Sequence, residues 1–235
     1  MRICGLQKLS MVDYPDKLAA TVFTGGCDLR CPFCHNAPLV TRVAESPVLS
    51  REEVLAFLQK RRGLLDGVVL SGGEPLLQPD AADFLAAVRD LGFAVKLDTN
   101  GCHPDALAGI LEQGLVDYVA MDIKNRREKY ALTVGMPDFD LTPVEKSAEL
   151  LRTGSVPFEF RTTAVREFHT PDDIRAIGEW LEGSPRYVLQ KFVDSGDLVG
   201  HGCHGLEDGE MRELEAAAKP WFQRVSLRGV ESAEN

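Results

Sequence analysis

Short apolar runs alternate with amphipathic stretches along most of this chain. Runs at Leu18–Phe23, Gly67–Leu70, Ala94–Asp98, Val116–Asp122, Glu159–Ala164 and Tyr187–Phe192 are continuous and rich in β-formers, and they read as buried strands. Between them, Arg51–Arg61, Ala81–Leu91, Pro104–Glu112, Pro143–Arg152 and Pro171–Leu181 carry apolar residues at helical spacing. Start signals agree: Ser50 precedes Arg51-Glu52-Glu53 as a cap, and Pro104, Pro143 and Pro171 stand in first-turn positions. Gly63, Gly92 and Gly154 fall where helices should stop. Strands separated by helices imply βαβ units and a parallel sheet. About six units fit, too few for an eight-fold barrel. The expected fold is therefore α/β, a curved partial (βα)6 TIM-like barrel, with an open doubly wound sheet as the other arrangement. A last helix (Glu207–Lys219) and strand (Arg224–Arg228) should close one domain over 1–235.

Composition narrows the class. With 44% hydrophobic and 26% charged residues the 235-residue chain is ordinary for a globular domain. Its net charge of -10 argues against nonspecific nucleic-acid or anionic-membrane binding. The first residues lack an apolar core with a small-residue cleavage site, and no apolar run is long enough to span a bilayer. A cytoplasmic protein with no membrane and no nucleic-acid partner is expected. In that compartment its six cysteines read as metal ligands or free thiols rather than disulfides.

The most specific signal follows the first run. Cys27, Cys31 and Cys34 in Gly25-Gly26-Cys27-Asp28-Leu29-Arg30-Cys31-Pro32-Phe33-Cys34-His35-Asn36 give three soft thiolates on one loop, 24–36. A [4Fe–4S] cluster takes four ligands, so three cysteines would leave one iron open. A zinc site completed by His35 or another cysteine is the rival reading. Cys31-Pro32-Phe33-Cys34-His35 also fits the haem-attachment pattern, which belongs to exported proteins. Chemistry in parallel α/β folds gathers at the C-terminal ends of strands. Gly72-Gly73-Glu74-Pro75 stands at the end of the second run, and its glycines let backbone approach a ligand. Asp98 and Asn100-Gly101 end the third, where Asn-Gly is also an ordinary turn. Asp122 and Lys124 end the fourth and share a side by strand alternation, as a ligand pair or a plain rim ion pair. Arg161 on the fifth run and Gln190 on the sixth suggest a polar interior. His201-Gly202-Cys203-His204 lies in a glycine-rich stretch, Asp194–Gly209, that reads as a flexible surface loop rather than a second metal site.

These motifs together resemble the radical S-adenosylmethionine (SAM) superfamily. Gly5-Leu6-Gln7-Lys8-Leu9-Ser10-Met11-Val12-Asp13-Tyr14-Pro15, Asp98-Thr99-Asn100-Gly101 and Met121-Asp122-Ile123-Lys124 sharpen the likeness to its glycyl-radical-enzyme activases, most of all those of anaerobic ribonucleoside-triphosphate reductase. The resemblance implies a partial barrel of the radical SAM type and a [4Fe–4S] cluster on Cys27, Cys31 and Cys34, with SAM on the fourth iron. Gly72, Gly73 and Glu74 would lie at the SAM amino group. Phe33 and His35 would lie near the adenine, and Asn100, Asp122, Lys124 and Arg161 near the rest of SAM. Asp122 and Lys124 would act catalytically, and Asp98 with Asp122 would hold a monovalent cation. Gln190 stands where some activases have a histidine. Reductive cleavage of SAM would give a 5′-deoxyadenosyl radical that takes hydrogen from a backbone glycine of a partner, with flavodoxin or ferredoxin as electron donor. Modification of a small molecule, peptide or RNA is the alternative radical chemistry, and a non-enzymatic zinc protein the third reading.

Overall fold

The structure, a computed structural model, describes residues 1–231; the closing residues of the expected 1–235 domain, 232–235, lie outside the described residues. In chain order the strands are β1 (Ile3–Ser10), β2 (Ala19–Thr24), β3 (Gly67–Gly72), β4 (Ala94–Thr99), β5 (Tyr118–Asp122), β6 (Phe158–Ala164), β7 (Tyr187–Lys191) and β8 (Val225–Arg228). The helices are α1 (Ala37–Val40), α2 (Arg51–Gln59), α3 (Ala81–Asp90), α4 (Pro104–Glu112), α5 (Tyr130–Thr133), α6 (Thr142–Thr153), α7 (Pro171–Trp180) and α8 (Asp208–Ala218). Each element expected from the hydrophobic pattern forms with its ends displaced by no more than two residues. The strands are hydrogen-bonded in the order β1-β2-β3-β4-β5-β6-β7-β8. The β2–β3, β3–β4, β6–β7 and β7–β8 pairs are parallel. Sequential parallel strands joined through helices have the connectivity of a (βα) barrel.

β1 is the addition. It pairs antiparallel with β2, from Ile3 opposite Thr24 to Ser10 opposite Ala19, with two irregularities in register. Its sequence hides it: Gly5 interrupts the run, and Gln7, Lys8 and Leu9 are exposed, so no apolar stripe appears. An edge strand needs to bury only part of one face.

Two compact units divide the chain: Met1–Asp28, Asn36–Ala120 and Thr142–Pro157 form the first; Leu29–His35, Met121–Leu141 and Phe158 onward form the second. In the first, β2, β3 and β4 bury Ala20, Val22, Val68, Val69, Leu70, Val95 and Leu97, and α3 contributes Phe84, Leu85 and Val88. Each such large apolar side chain, moved fully out of water, is worth about 1.5–3 kcal/mol. Ser50 and Glu53 exchange bonds at the start of α2 (Glu53 N to Ser50 Oγ 3.1 Å, Ser50 N to Glu53 Oε2 2.8 Å), a capping box. Gly63 and Gly92 take positive φ after α2 and α3, as stop signals should; Gly154 does not.

In the second unit Phe160, Tyr187, Val188 and Leu189 are buried with Ile174 and Ile177 of α7 and Met211 and Leu214 of α8. Tyr187 stacks on Phe222, with ring centroids 4.4 Å apart, and its hydroxyl donates to Thr162 Oγ1 at 2.7 Å. Glu159 is fully buried and bonded to Arg228 Nη2 at 2.7 Å, with Arg186 Nε at 3.4 Å. Pairing of this kind is what a buried carboxylate requires.

Candidate active site

In the first unit the ends of β2, β3 and β4 meet. Gly72 holds φ +126°, and a Cβ on Gly73 would stand 1.9 Å from the Gly26 carbonyl oxygen. Only glycine allows the contact that follows: Gly73 N donates to Thr24 O at 2.9 Å and Glu74 N to Gly26 O at 2.7 Å. The glycine pair is thereby pressed against the backbone entering Cys27.

Glu74 is 0% exposed. Its Oε1 accepts from Thr99 Oγ1 at 2.8 Å and Leu76 N at 3.0 Å, and its Oε2 accepts from Asn100 N at 2.7 Å. Burial pushes this carboxyl up to about 7, against three hydrogen bonds that favour its ionised form. The side chain therefore ties the end of β3 to the end of β4, and its carboxylate is occupied within the protein. Asn100 does more than turn the chain. Its Nδ2 lies 2.9 Å from Asp28 Oδ1 and 3.8 Å from Cys27 Sγ, and its Oδ1 accepts from Cys102 N at 2.9 Å. His103 Nε2 is 3.1 Å from Asp28 Oδ2. Asp98 accepts from Ser71 Oγ at 3.1 Å and is ion-paired with Lys96, which is 0% exposed. Lys96 is a residue the motifs did not single out. A lysine inside the apolar run Ala94-Val95-Lys96-Leu97 was its only signal, since lysine is almost never fully buried unless paired.

In the second unit the end of β5, the segment just after it and the middle of β6 build one charged group. Asp122 accepts from Arg161 Nε at 2.7 Å and from Lys124 Nζ at 2.8 Å. The rim ion pair of the sequence reading exists, with Arg161 as a third member and a net positive charge. Desolvation raises the Asp122 carboxyl, but Arg161 and Lys124 outweigh it and hold the group well below the usual carboxylate range. For Lys124 desolvation acts downward, and Asp122 with Cys31 carries the ammonium well above its usual range.

Cys31 and Cys34 belong to this unit. Burial pushes the Cys31 thiol up to about 11, while Lys124 draws it back. His35 keeps an outer edge in solvent, yet lost solvation and the Lys124 and Arg161 charges lower it, against Asp122. Phe33 is buried, with its ring 5.8 Å from Phe168 and 6.5 Å from Phe192, so its side chain anchors the loop. Gln190 is half-buried on β7, opposite Thr163 and Arg228 in register.

The stretch 194–209, expected as a loose surface loop, is fastened. Val199 N donates to Cys34 O at 3.2 Å and Gly200 N to Pro32 O at 2.8 Å. His204 bonds Glu167 through its backbone N (2.9 Å) and Nδ1 (2.6 Å), and Cys203 is buried. Among the described residues no three His, Cys, Asp or Glu side chains gather closely enough to hold one metal ion.

The loop nevertheless suits a thiolate-bound group. An amide N–H meets Cys27 Sγ in the first unit, and the Lys124 charge acts on Cys31 in the second. Donors and positive charge favour sulfur that has lost its proton. Gly26, at φ +102° with nothing within 4 Å of where a Cβ would stand, leaves open space beside Cys27.

Sequential parallel strands joined through helices, with free cysteines on the loop after β2, define an α/β protein of (βα)-barrel connectivity. The family model of the Radical SAM superfamily matches residues 21–181, and the chain belongs to that superfamily. It is a radical SAM enzyme. A protein of Methanocaldococcus jannaschii, named provisionally as a glycyl-radical enzyme activating enzyme, is 32% identical over 97% of this chain and 96% of its own length. A pyruvate formate-lyase-activating enzyme of Staphylococcus aureus is 31% identical over 95% of this chain and 94% of its own. Among solved structures, Streptococcus suis SuiB bound to S-adenosylmethionine superposes with TM-score 0.65 at 14% identity, over 89% of this chain. The chain spans about half the length of that protein (52%), and the likeness shows the fold alone. The superfamily's cofactors are a [4Fe–4S] cluster and SAM. No helix among the described residues is long and apolar enough to cross a membrane.

Proposed function

We propose that this chain activates a glycyl-radical enzyme, with Cys27, Cys31 and Cys34 as the ligands of one [4Fe–4S] cluster. The observation that carries the proposal is the Asp122–Lys124–Arg161 group, in the unit that also holds Cys31 and Cys34. A cluster held by these cysteines would, once reduced, offer the one electron needed to cleave SAM into methionine and a 5′-deoxyadenosyl radical.

The chain's own residues bind and orient. Lys124 and Arg161, both on Asp122, bring their positive charge to where the SAM carboxylate would sit. Asp122 keeps both cations fixed, so no reorganisation is needed when the ligand arrives. Gly72, Gly73 and the Glu74 backbone present main-chain groups to the SAM amino group; the Glu74 carboxylate fixes their shape through Thr99 and Asn100. The Phe33 backbone and His35 flank the adenine, and Gln190 lies on the strand next to the one carrying Arg161. Asp98 and Asp122 each carry a lysine ammonium, Lys96 and Lys124, and a monovalent cation held by the two carboxylates would share them with those ammonium groups.

The target is a backbone glycine of a partner enzyme, an assignment supported by relatives matched over nearly their whole length. Motif flavour points to anaerobic ribonucleoside-triphosphate reductase, and the names of several relatives point to pyruvate formate-lyase. A flavodoxin or ferredoxin in the cytoplasm supplies the electron. Anaerobic mixing of the reconstituted protein, reductant and SAM with each candidate tests this. A glycyl-radical signal in electron paramagnetic resonance is expected on the reductase. A signal on pyruvate formate-lyase alone corrects the partner, and SAM cleavage with a radical on neither refutes the activase reading.

A further inference from the structure

Lys124 stands two residues beyond the last residue of β5, just past Ile123, whose N donates to Arg161 O of β6 at 2.8 Å. Three side chains of the same unit also hold the segment. Thr162 Oγ1 donates to Ile123 O at 2.6 Å, and Asn125 Nδ2 donates to Phe168 O at 3.0 Å and to Thr133 Oγ1 at 2.9 Å. Between them His169, 2% exposed, places Nε2 2.8 Å from Lys124 O. Its other nitrogen, Nδ1, lies 3.0 Å from Val165 N.

The partners fix the tautomer. Nδ1 also lies 3.3 Å from Val165 O, but that oxygen already accepts from Phe168 N and His169 N, and the nearer Val165 N–H only donates, so Nδ1 accepts and carries no proton. The Lys124 carbonyl only accepts, so Nε2 carries the proton and donates it. A neutral ring satisfies both bonds, whereas a second proton on Nδ1 would abut the Val165 N–H. Burial, which lowers this histidine, agrees with the neutral form.

We propose that neutral, Nε2-protonated His169 is a positioning residue for SAM: it fixes the backbone of Lys124 so that the ammonium stays on Asp122 and aimed at the ligand. The inference rests on Lys124 meeting SAM. A lysine stem has four rotatable bonds, and only a fixed Cα lets one ion pair hold its tip. His169 itself touches neither SAM nor the cluster.

Two measurements test it. The first is nitrogen NMR of protein labelled at the imidazole nitrogens, the His169 signal being assigned by its loss in His169→Gln. A neutral Nε2–H ring is expected at pH 7, and a ring protonated at Nδ1, alone or with Nε2, overturns the proposal. The second is SAM affinity of the iron-loaded protein by equilibrium dialysis. His169→Leu, which removes the donor, should weaken SAM about tenfold, the worth of one buried hydrogen bond. His169→Gln, which keeps a donor at that reach, should stay within about threefold, and iron content should not change in either. Lys124→Met is the reference. If it loses SAM while His169→Leu binds like wild type, the His169 role is wrong and the site reading stands. If Lys124→Met binds SAM unchanged, both are wrong. Should His169→Leu fail to fold, the tautomer and the Gln variant decide: a Gln variant that loses SAM as fully as Lys124→Met overturns the hydrogen-bond account.

Discussion

Replacing Gly73 by alanine tests how the glycine cradle is built. The new Cβ would stand 1.9 Å from Gly26 O, more than 1 Å inside the 3.0 Å that real Cβ atoms respect, and 2.6 Å from the Gly26 carbonyl carbon. The obstacle is backbone, so no rotamer change relieves it. Gly26 O must retreat, which breaks the 2.7 Å bond from Glu74 N. Leaving that pair unmade costs about 1–3 kcal/mol. At roughly 2–4 °C per kcal/mol for a chain of this size, the melting temperature should fall by about 5 °C. The displaced residue directly precedes Cys27, so iron uptake on anaerobic reconstitution should fall as well. Gly109→Ala is the control. Gly109 lies inside α4, and its Cβ would meet only Gln113 Nε2, at 4.0 Å. There alanine should raise stability by about 0.5–1 kcal/mol. Calorimetry of the two variants with iron analysis decides the matter. A Gly73→Ala protein that melts with wild type and binds full iron would refute the cradle.

Glu74 should make stability pH-dependent. Its folded value, about 7, lies above the ordinary 4.5, so the folded state keeps a proton that the unfolded state has already lost between those values. Stability from this group is complete below pH 4.5 and falls as pH rises toward 7, by at most about 3 kcal/mol. Urea titrations across that window should show the decline in wild type and a flatter profile in Glu74→Gln; equal slopes would mean that Glu74 is ionised throughout. Among the cysteines, Cys31→Ser should abolish cluster iron, whereas Cys203→Ala should retain it. Equal iron loss in both would move a cluster ligand into the 194–209 loop.

Periodicity made the parallel strands and their helices legible, because strands buried on both faces read as continuous apolar runs and their helices carry caps such as Ser50 and Thr170. β1 was not legible: an edge strand interrupted by Gly5 and exposed at Gln7, Lys8 and Leu9 shows no alternation. Of the site, the positions at strand ends were readable from motifs, but the bonds were not. Arg161 was expected as an interior polar residue near SAM, and no local pattern told that it shares Asp122 with Lys124. The Asp98 position was readable, but its ion pair with Lys96 was not. Glu74 faces Thr99 and Asn100, residues 25 and 26 positions away, which no local pattern encodes. His169 joins Val165 to Lys124 across a comparable gap, and one histidine before a capping threonine carries no sequence signal.

The central claim is reductive cleavage of SAM at a cluster held by the three cysteines. Its most direct test is to reconstitute the protein anaerobically with iron and sulfide, add reductant and SAM, and quantify 5′-deoxyadenosine by chromatography. Product that requires reductant, appears in wild type and is absent from Cys31→Ser is the expected result. No product from fully iron-loaded wild type, even with a glycyl-radical enzyme present, would contradict the account.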